Sequence, residues 1–408
     1  MMVTQTKFSG NPGRPPAPSA QIVHGKKNLK LIEVNYRRNT DSNFTEQMET
    51  LQKSFVYGEQ SDSYWVEPEF SLLYGSPLYE ECSPFQKRAL NHLYWVCFYN
   101  YSIGGEVSTM VYNQLTCGAF YPLGGYETLC RELDLETSQE RAHVEAFRNV
   151  GQQTELALMG KTVFDRPMPN YVEAALTHPQ RGARLFVQNF PAQYYASSMG
   201  TSPFVASQYY TVRGLRNIQL KVKEYRHSQY CQELEKKGEF VPSPAAISHY
   251  HYLDEAFHTA TSQLISHDLY KDFPVPSVAE QFAANLGIYG VQRTIQTLSG
   301  AVPGIFADDA DYMPLIWQML QTPLFGMSAR EACEAVQKNF CHEHDGFHVA
   351  AKYHQRALSD NLKYIEGLDY LWPLNRELRL MGSATIAKSL KNNALSFKRF
   401  SQSASRAV

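Results

Sequence analysis

The sequence predicts an all-α fold, and three observations carry that expectation. Long runs place apolar residues at three- and four-residue steps. Prolines and glycines gather mostly between those runs. No stretch alternates apolar and polar residues clearly enough to read as a strand.

Taken in order, residues 1–28 (GNPGRPPAPSA and its flanks) have no apolar period and read as a disordered leader. After Pro84 no proline occurs before Gln114, and Leu90, Leu93, Tyr94, Cys97, Tyr101, Val107, Met110 and Val111 keep helical spacing. Gly104–Gly105 is the weak point of that helix, each glycine costing ~1 kcal/mol relative to alanine. A second helix is expected over 135–161, with Thr137 or Ser138 as its cap. Residues 163–203 hold five prolines and read as irregular, with room for a short helix over 171–177. Further helices are expected over 207–237, 244–267, 278–298, 311–321, 328–340, 347–366 and 373–393. The Ser- and Lys-rich end, 383–408, reads as a basic tail, which leaves 29–382 as one helical domain.

Composition excludes several classes. With 408 residues, 43% of them hydrophobic and 19% charged, the chain buries a full core and is not globally disordered. A net charge of −2 gives no global attraction to nucleic acid or anionic lipid. The seven cysteines are scattered, with no C-x-x-C pair, and read as reduced, mostly buried thiols. The most apolar stretch, 89–99, is far shorter than the ~20 residues of a membrane span. No secretion signal opens the chain, so a cytoplasmic protein is expected.

The chemistry lies in Glu-x-x-His pairs, whose members share a helix face and suit metal binding inside a bundle. Random placement of the 27 glutamates and 13 histidines gives about one such pair. Three occur: Glu140/His143, Glu224/His227 and Glu255/His258. Glu106 is a lone acid in an apolar helix 34 residues before Glu140, and an ionised carboxylate there is costly unless paired or on a metal. In HYLDEAFH, His251, Glu255 and His258 fall at i, i+4 and i+7 on one face. Glu224 precedes His251 by 27 residues on the preceding helix. Four helices thus supply one Glu, one Glu-x-x-His, one Glu and one His-x-x-x-Glu-x-x-His, the donor set of a carboxylate-bridged di-metal site with an extra histidine.

This set resembles the p-aminobenzoate N-oxygenase (AurF-like) family of ferritin-like di-iron oxygenases, whose members carry a third histidine four residues before the second Glu-x-x-His. The matching residues are Glu106, Glu140, His143, Glu224, His251, Glu255 and His258. The resemblance implies a ferritin-like helical bundle with additional helices, two iron ions (Fe2+/Fe3+) and O2 as co-substrate. It also implies N-oxygenation of a small-molecule amine in a biosynthetic pathway, and a homodimer. Manganese stays open on residue types alone. In such sites an Asp before each Glu-x-x-His braces the opposite histidine. Asp254 fits that pattern, whereas Gln139 stands at the other copy and adds no charge. Glu140 and Glu255 are expected to bridge the metals, with Glu106 and His143 completing one and Glu224, His251 and His258 the other. The spacing of 81 residues from His143 to Glu224 implies an insertion near the mouth of the site.

Each feature has a plainer reading. Glu140/His143 alone would pass for a surface pair, and Glu106 for a hydrogen-bonded buried acid. Glu224 sits beside Lys221, Lys223 and Arg226, which read as a solvated face. It is preferred over Glu233 and Glu235 because helical phase sets it with Asn217, Leu220 and Cys231. His227 reads as a support behind the ligands or as simply packed. The cluster CHEHDGFH (341–348) has a metal-like composition, but Gly346 interrupts His344 and His348, so it reads as a loop-to-helix junction.

The expected function is O2-dependent oxygenation by a di-iron monooxygenase. No Gly-rich dinucleotide fingerprint appears, so electrons are expected from a separate reductase or ferredoxin. The same ligands would also serve C–H hydroxylation, desaturation or oxidative cleavage. Rivals of another class are a metal store, a helical scaffold and a radical-generating subunit.

Overall fold

A computed structural model describes residues 26–164, 198, 202–304 and 308–404. The leader up to residue 25, and 165–197 and 199–201 of the irregular stretch, lie outside the described residues. Every regular element among the described residues is helical. We label the long helices α1 (Lys26–Asp41), α2 (Thr45–Ser54), α3 (Pro84–Phe120), α4 (Glu127–Met159), α5 (Pro203–Lys237) and α6 (Ser243–His267). They continue as α7 (Val278–Thr294), α8 (Asp309–Leu320), α9 (Ala329–Phe340), α10 (Asp345–Ile365) and α11 (Ile386–Ala404).

The bundle consists of two hairpins, α3–α4 and α5–α6, packed against each other. Local chemistry sets their ends. Ser83 and Gln86 form a reciprocal capping box at the start of α3, with Pro84 in the first turn. Ser202 caps α5, which also opens on a proline. Gly160 and Gly238 close α4 and α5 in the left-handed conformation, at φ 69° and 67°, which a side chain would strain. From Ala89 to Asn100 every residue of α3 is buried. That explains its uniform apolar character: the helix has neighbours on all sides.

Gly104–Gly105 does not break α3, which runs unbroken to Phe120. Burial on both flanks outweighs two glycine penalties. The expected start of the second helix also shifts: α4 begins at Glu127, and Thr137 sits mid-helix, its Oγ1 donating to the Leu133 carbonyl at 2.7 Å. That intrahelical bond satisfies a side chain otherwise typical of caps. The helix expected over 373–393 divides into single turns at Pro373–Arg376 and Arg379–Gly382, followed by α11. Leu378, at φ 45°, makes the break. Within the segment read as a tail, α11 packs on α8 and α9 and buries Ser389 and Asn393.

Two helices not anticipated from sequence, α1 and α2, lie across α4 and α6. On the other side α10 crosses α5 at Gly214, where an added Cβ would stand 2.1 Å from the Tyr364 hydroxyl. The glycine admits that ring, which hydrogen-bonds the Tyr210 carbonyl at 3.1 Å and binds α10 to α5.

Candidate metal centre

Inside the bundle, α3 contributes Glu106, α4 contributes Glu140 and His143, α5 contributes Glu224, and α6 contributes His251, Glu255 and His258. All seven side chains are buried. Their polar atoms converge. His143 Nδ1 lies 3.0 Å from Glu140 Oε2 and 3.8 Å from Glu106 Oε2. His251 Nε2 lies 3.3 Å from Glu106 Oε1, and its Nδ1 lies 3.2 Å from Glu224 Oε1. His258 Nδ1 lies 2.6 Å from Glu255 Oε1 and 3.4 Å from Glu140 Oε1.

Six of these donors, joined by Glu136, form two groups, each with ligand atoms within 4.8 Å of one another: Glu106, His143, His251 and Glu255, and then Glu136, Glu140 and His258; Glu224 falls in neither and meets the first group only through His251. The grouping differs from the division expected on sequence. His251 stands between Glu106 and Glu224, on the side of His143 rather than with His258. Ring orientation decides this, and spacing along α6 does not encode it.

The residues fit a pair of cations. Glu224 Oε1 and His251 Nδ1 are both buried and lie 3.2 Å apart, yet they are out of hydrogen-bonding alignment and have no other partner. A buried carboxylate oxygen and an imidazole nitrogen facing a shared space are costly unless a cation or a proton takes them. A mixed carboxylate and imidazole set of this size suits iron or manganese better than a closed tetrahedral zinc site. Without a cation the pocket gathers protons instead. Burial opposes the charging of His143, but the hydrogen bond to Asp254 and the nearby Glu106 carboxylate prevail and push it up to about 10. His251 is likewise pushed up to about 10, burial being outweighed by the Glu224 charge and by the bond to Glu106.

Behind the ligands, the two Glu-x-x-His histidines are each held by a residue that precedes the opposite glutamate. His143 Nε2 meets Asp254 Oδ2 at 3.1 Å, and His258 Nε2 meets Gln139 Oε1 at 2.9 Å. The Gln139 amide is oriented by its nitrogen, which donates to Asn39 Oδ1 at 2.8 Å and to Asp254 Oδ1 at 3.4 Å. Its carbonyl therefore faces His258, whose Nε2 carries the proton and whose Nδ1 lone pair faces the carboxylates. Asn39 belongs to α1, so the N-terminal helix reaches the core of the site.

Sequence reasoning missed Glu136 and Arg213. Glu132, Glu136 and Glu140 recur at i, i+4 and i+8 and are all buried, a spacing that was visible in the sequence. The buried Arg213 donates to Glu136 through Nη1 and to Glu140 Oε1 through Nη2 at 3.1 Å. Asn217 donates to Glu255 Oε2 at 3.1 Å. Of the three charges expected to mark a solvated face around Glu224, Arg226 stays partly exposed, but Lys223 is fully buried, and Lys221 Nζ donates to the Glu255 carbonyl at 2.5 Å and to Thr259. Helical phase turns Glu224 inward, and tertiary packing covers its neighbours.

His227 touches no ligand. It is ringed by Phe70, Tyr94 and Phe98 at centroid distances of 5.2, 6.0 and 5.1 Å, neither nitrogen has a hydrogen-bond partner, and burial pushes it down to about 3. The 341–348 cluster is structural. His344 caps α10 by accepting from the Gly346 amide at 3.2 Å, while the exposed His348 faces Glu343. No described helix is long and apolar enough to cross a membrane.

A family model described as acyl halogenase CylC-like matches residues 27–190 and 170–401 of the chain. No curated protein and no solved structure matches it.

Proposed function

The chain belongs to the CylC-like acyl halogenase family, a helical, oxidative enzyme family of the di-iron type, and from this premise we propose that it is an O2- and halide-dependent enzyme that halogenates a carbon of an acyl substrate. Two iron ions would be held by Glu106, Glu140, His143, Glu224, His251, Glu255 and His258, with Glu136 beside Glu140 and His258 and paired with Arg213. The observation that carries the reading is the convergence of these donors, with Glu224 Oε1 and His251 Nδ1 left unsatisfied at 3.2 Å. Bound iron supplies the activation of O2, chemistry that the side chains alone do not provide.

The chain's own residues do the rest. Asp254 and Gln139 fix the imidazole tautomers, so that Nδ1 of His143 and His258 presents its lone pair inward. Arg213 restrains Glu140 and neutralises part of the surplus negative charge. Asn217 orients Glu255. Tyr99 and Phe147 pack their rings 5.7 and 5.1 Å from His251 and exclude water on that side. Among the ligands Glu106 and Glu255 keep the most side-chain exposure, 9% and 7%, so substrate approaches along that side. Electrons come from an external donor.

A second reading, N-oxygenation of an amine, is supported by the ligand order, with His251 four residues before Glu255. One experiment separates the two. Purified, iron-loaded protein is given O2, a reductant and a panel of fatty acyl thioesters and arylamines, with and without chloride or bromide. Products are read by mass. A halide-dependent product bearing the halogen isotope pattern supports the first reading. Halide-independent addition of oxygen to nitrogen overturns it in favour of the second, and addition to carbon would make the enzyme a hydroxylase.

A further inference from the structure

A line of oxidisable rings leaves the candidate metal centre and ends near the surface. Tyr99 stands 5.7 Å from the His251 ring, centroid to centroid. Trp95 follows at 4.6 Å, Trp65 at 5.9 Å and Tyr57 at 6.0 Å. Tyr99, Trp95 and Trp65 are fully buried, whereas Tyr57 is partly exposed. No step requires an electron to cross more than a ring-to-ring contact.

The far end differs chemically from the near end. The Tyr57 hydroxyl lies 3.0 Å from His92 Nδ1. His92 Nε2 lies 2.8 Å from the Ser63 carbonyl, which only accepts, so Nε2 carries the proton and Nδ1 is the base. Tyr57 therefore donates its O–H to His92. The same imidazole stacks on Trp65 at 4.1 Å. By contrast the Tyr99 hydroxyl is buried with no hydrogen-bonded base. Oxidising a phenol releases its proton, so a hole does not come to rest at Tyr99 and does come to rest at Tyr57. The two indoles between them carry the charge as radical cations without needing to release a proton.

We propose that Tyr99, Trp95, Trp65 and Tyr57 form an electron-transfer chain serving the oxidative centre, with the Tyr57–His92 pair as its proton-coupled surface terminus. This rests on the oxidative reading above. One electron leaves the indole of Trp95, by way of the Tyr99 ring, for the oxidised metal centre. Trp65 refills Trp95. Tyr57 then gives one electron to Trp65 and its hydroxyl proton to His92 Nδ1, leaving a neutral tyrosyl radical beside an imidazolium. A soluble one-electron reductant at the surface restores Tyr57 as His92 returns the proton. When no acyl substrate is bound, the chain drains oxidising equivalents away from His143, His251 and their neighbours.

The test uses the full chain loaded with ferrous iron and mixed with O2 in the absence of organic substrate. Oxygen uptake, freeze-quenched electron paramagnetic resonance and peptide mass spectrometry are recorded together. The expected result is a tyrosyl signal and added oxygen or dityrosine at Tyr57. Tyr57→Phe abolishes that signal and moves the oxidative modification to Trp65, with iron content unchanged. Trp65→Phe abolishes the Tyr57 products and moves modification to Trp95. Normal oxygen uptake with a radical that survives both substitutions overturns the chain and leaves the oxidative reading standing. Iron bound without oxygen uptake overturns both.

Discussion

Gln139 Oε1 accepts from His258 Nε2 at 2.9 Å, in the place where Asp254 Oδ2 faces His143 Nε2 at 3.1 Å across the bundle. A neutral amide thus holds one imidazole and a carboxylate holds the other. The charged partner raises the basicity of its histidine more than the neutral one does, so the two halves of the centre are electronically unequal.

Removing the amide should weaken the half that contains His258. Gln139→Leu leaves Nε2 of a buried imidazole without a partner and frees the ring to turn. Metal affinity is expected to fall about 10–100-fold, measured by competition with a chromogenic chelator. Gln139→Glu should keep metal binding and alter the optical spectrum of the loaded protein. Unchanged affinity in Gln139→Leu would show that the amide does not support the ligand.

Arg213 is the buried cation between Glu136 and Glu140, all of them at most 5% exposed. Arg213→Met strands Glu136 in the core, at a cost of about 3–5 kcal/mol for breaking a buried pair from one side. Urea unfolding of the metal-free chain should show that loss. The double variant Arg213→Met/Glu136→Gln should recover much of it, because no unpaired charge then remains.

Ligands and packed histidines should separate cleanly by metal content. Glu140→Ala or Glu255→Ala should abolish binding of both ions, as each stands at the junction of two histidine environments. His227→Phe should leave metal content unchanged, since its nitrogens meet no ligand and its neighbours are aromatic rings. Retention of two irons by Glu140→Ala together with their loss in His227→Phe would overturn the ligand assignment.

Glu67 gives a pH dependence remote from the ligands. Burial pushes its carboxyl up to about 7 from 4.5, against the pull of Arg226, whose Nη2 lies 2.9 Å away; Glu69 and Glu233 add to the rise. The folded state therefore holds this proton more tightly than the unfolded chain does. Stability should fall as pH rises from about 4.5 to about 7 and stay level above, by at most about 3 kcal/mol. Urea midpoints at pH 5 and pH 8 measure the slope, and Glu67→Gln should flatten it.

The helical class, the extents of α5 and α6 to within a few residues, and the shared faces of the candidate metal-binding residues were legible in the chain. They depend on local periodicity: His251, Glu255 and His258 share a face wherever a helix forms. Gln139 and Asp254 were singled out by the resemblance to the AurF-like family, not by periodicity. Local rules failed at Thr137, expected as a cap and found mid-helix, and at Lys223, expected in solvent and found buried. In both cases packing by distant segments overrode the local preference.

What the tertiary structure alone decided is which side chains meet. The pairing of Glu224 with His251, the link from Arg213 to Glu136, and the reach of Asn39 from α1 to Gln139 all join residues dozens of positions apart or more. A helix's sequence specifies the direction of each side chain around its own axis. It does not specify the crossing angle or register against another helix, and those two quantities determine which carboxylate faces which imidazole. Local periodicity specifies a helical chain carrying Glu and His on shared helix faces; the packing of α1 and α3–α6 brings those faces together into one candidate centre.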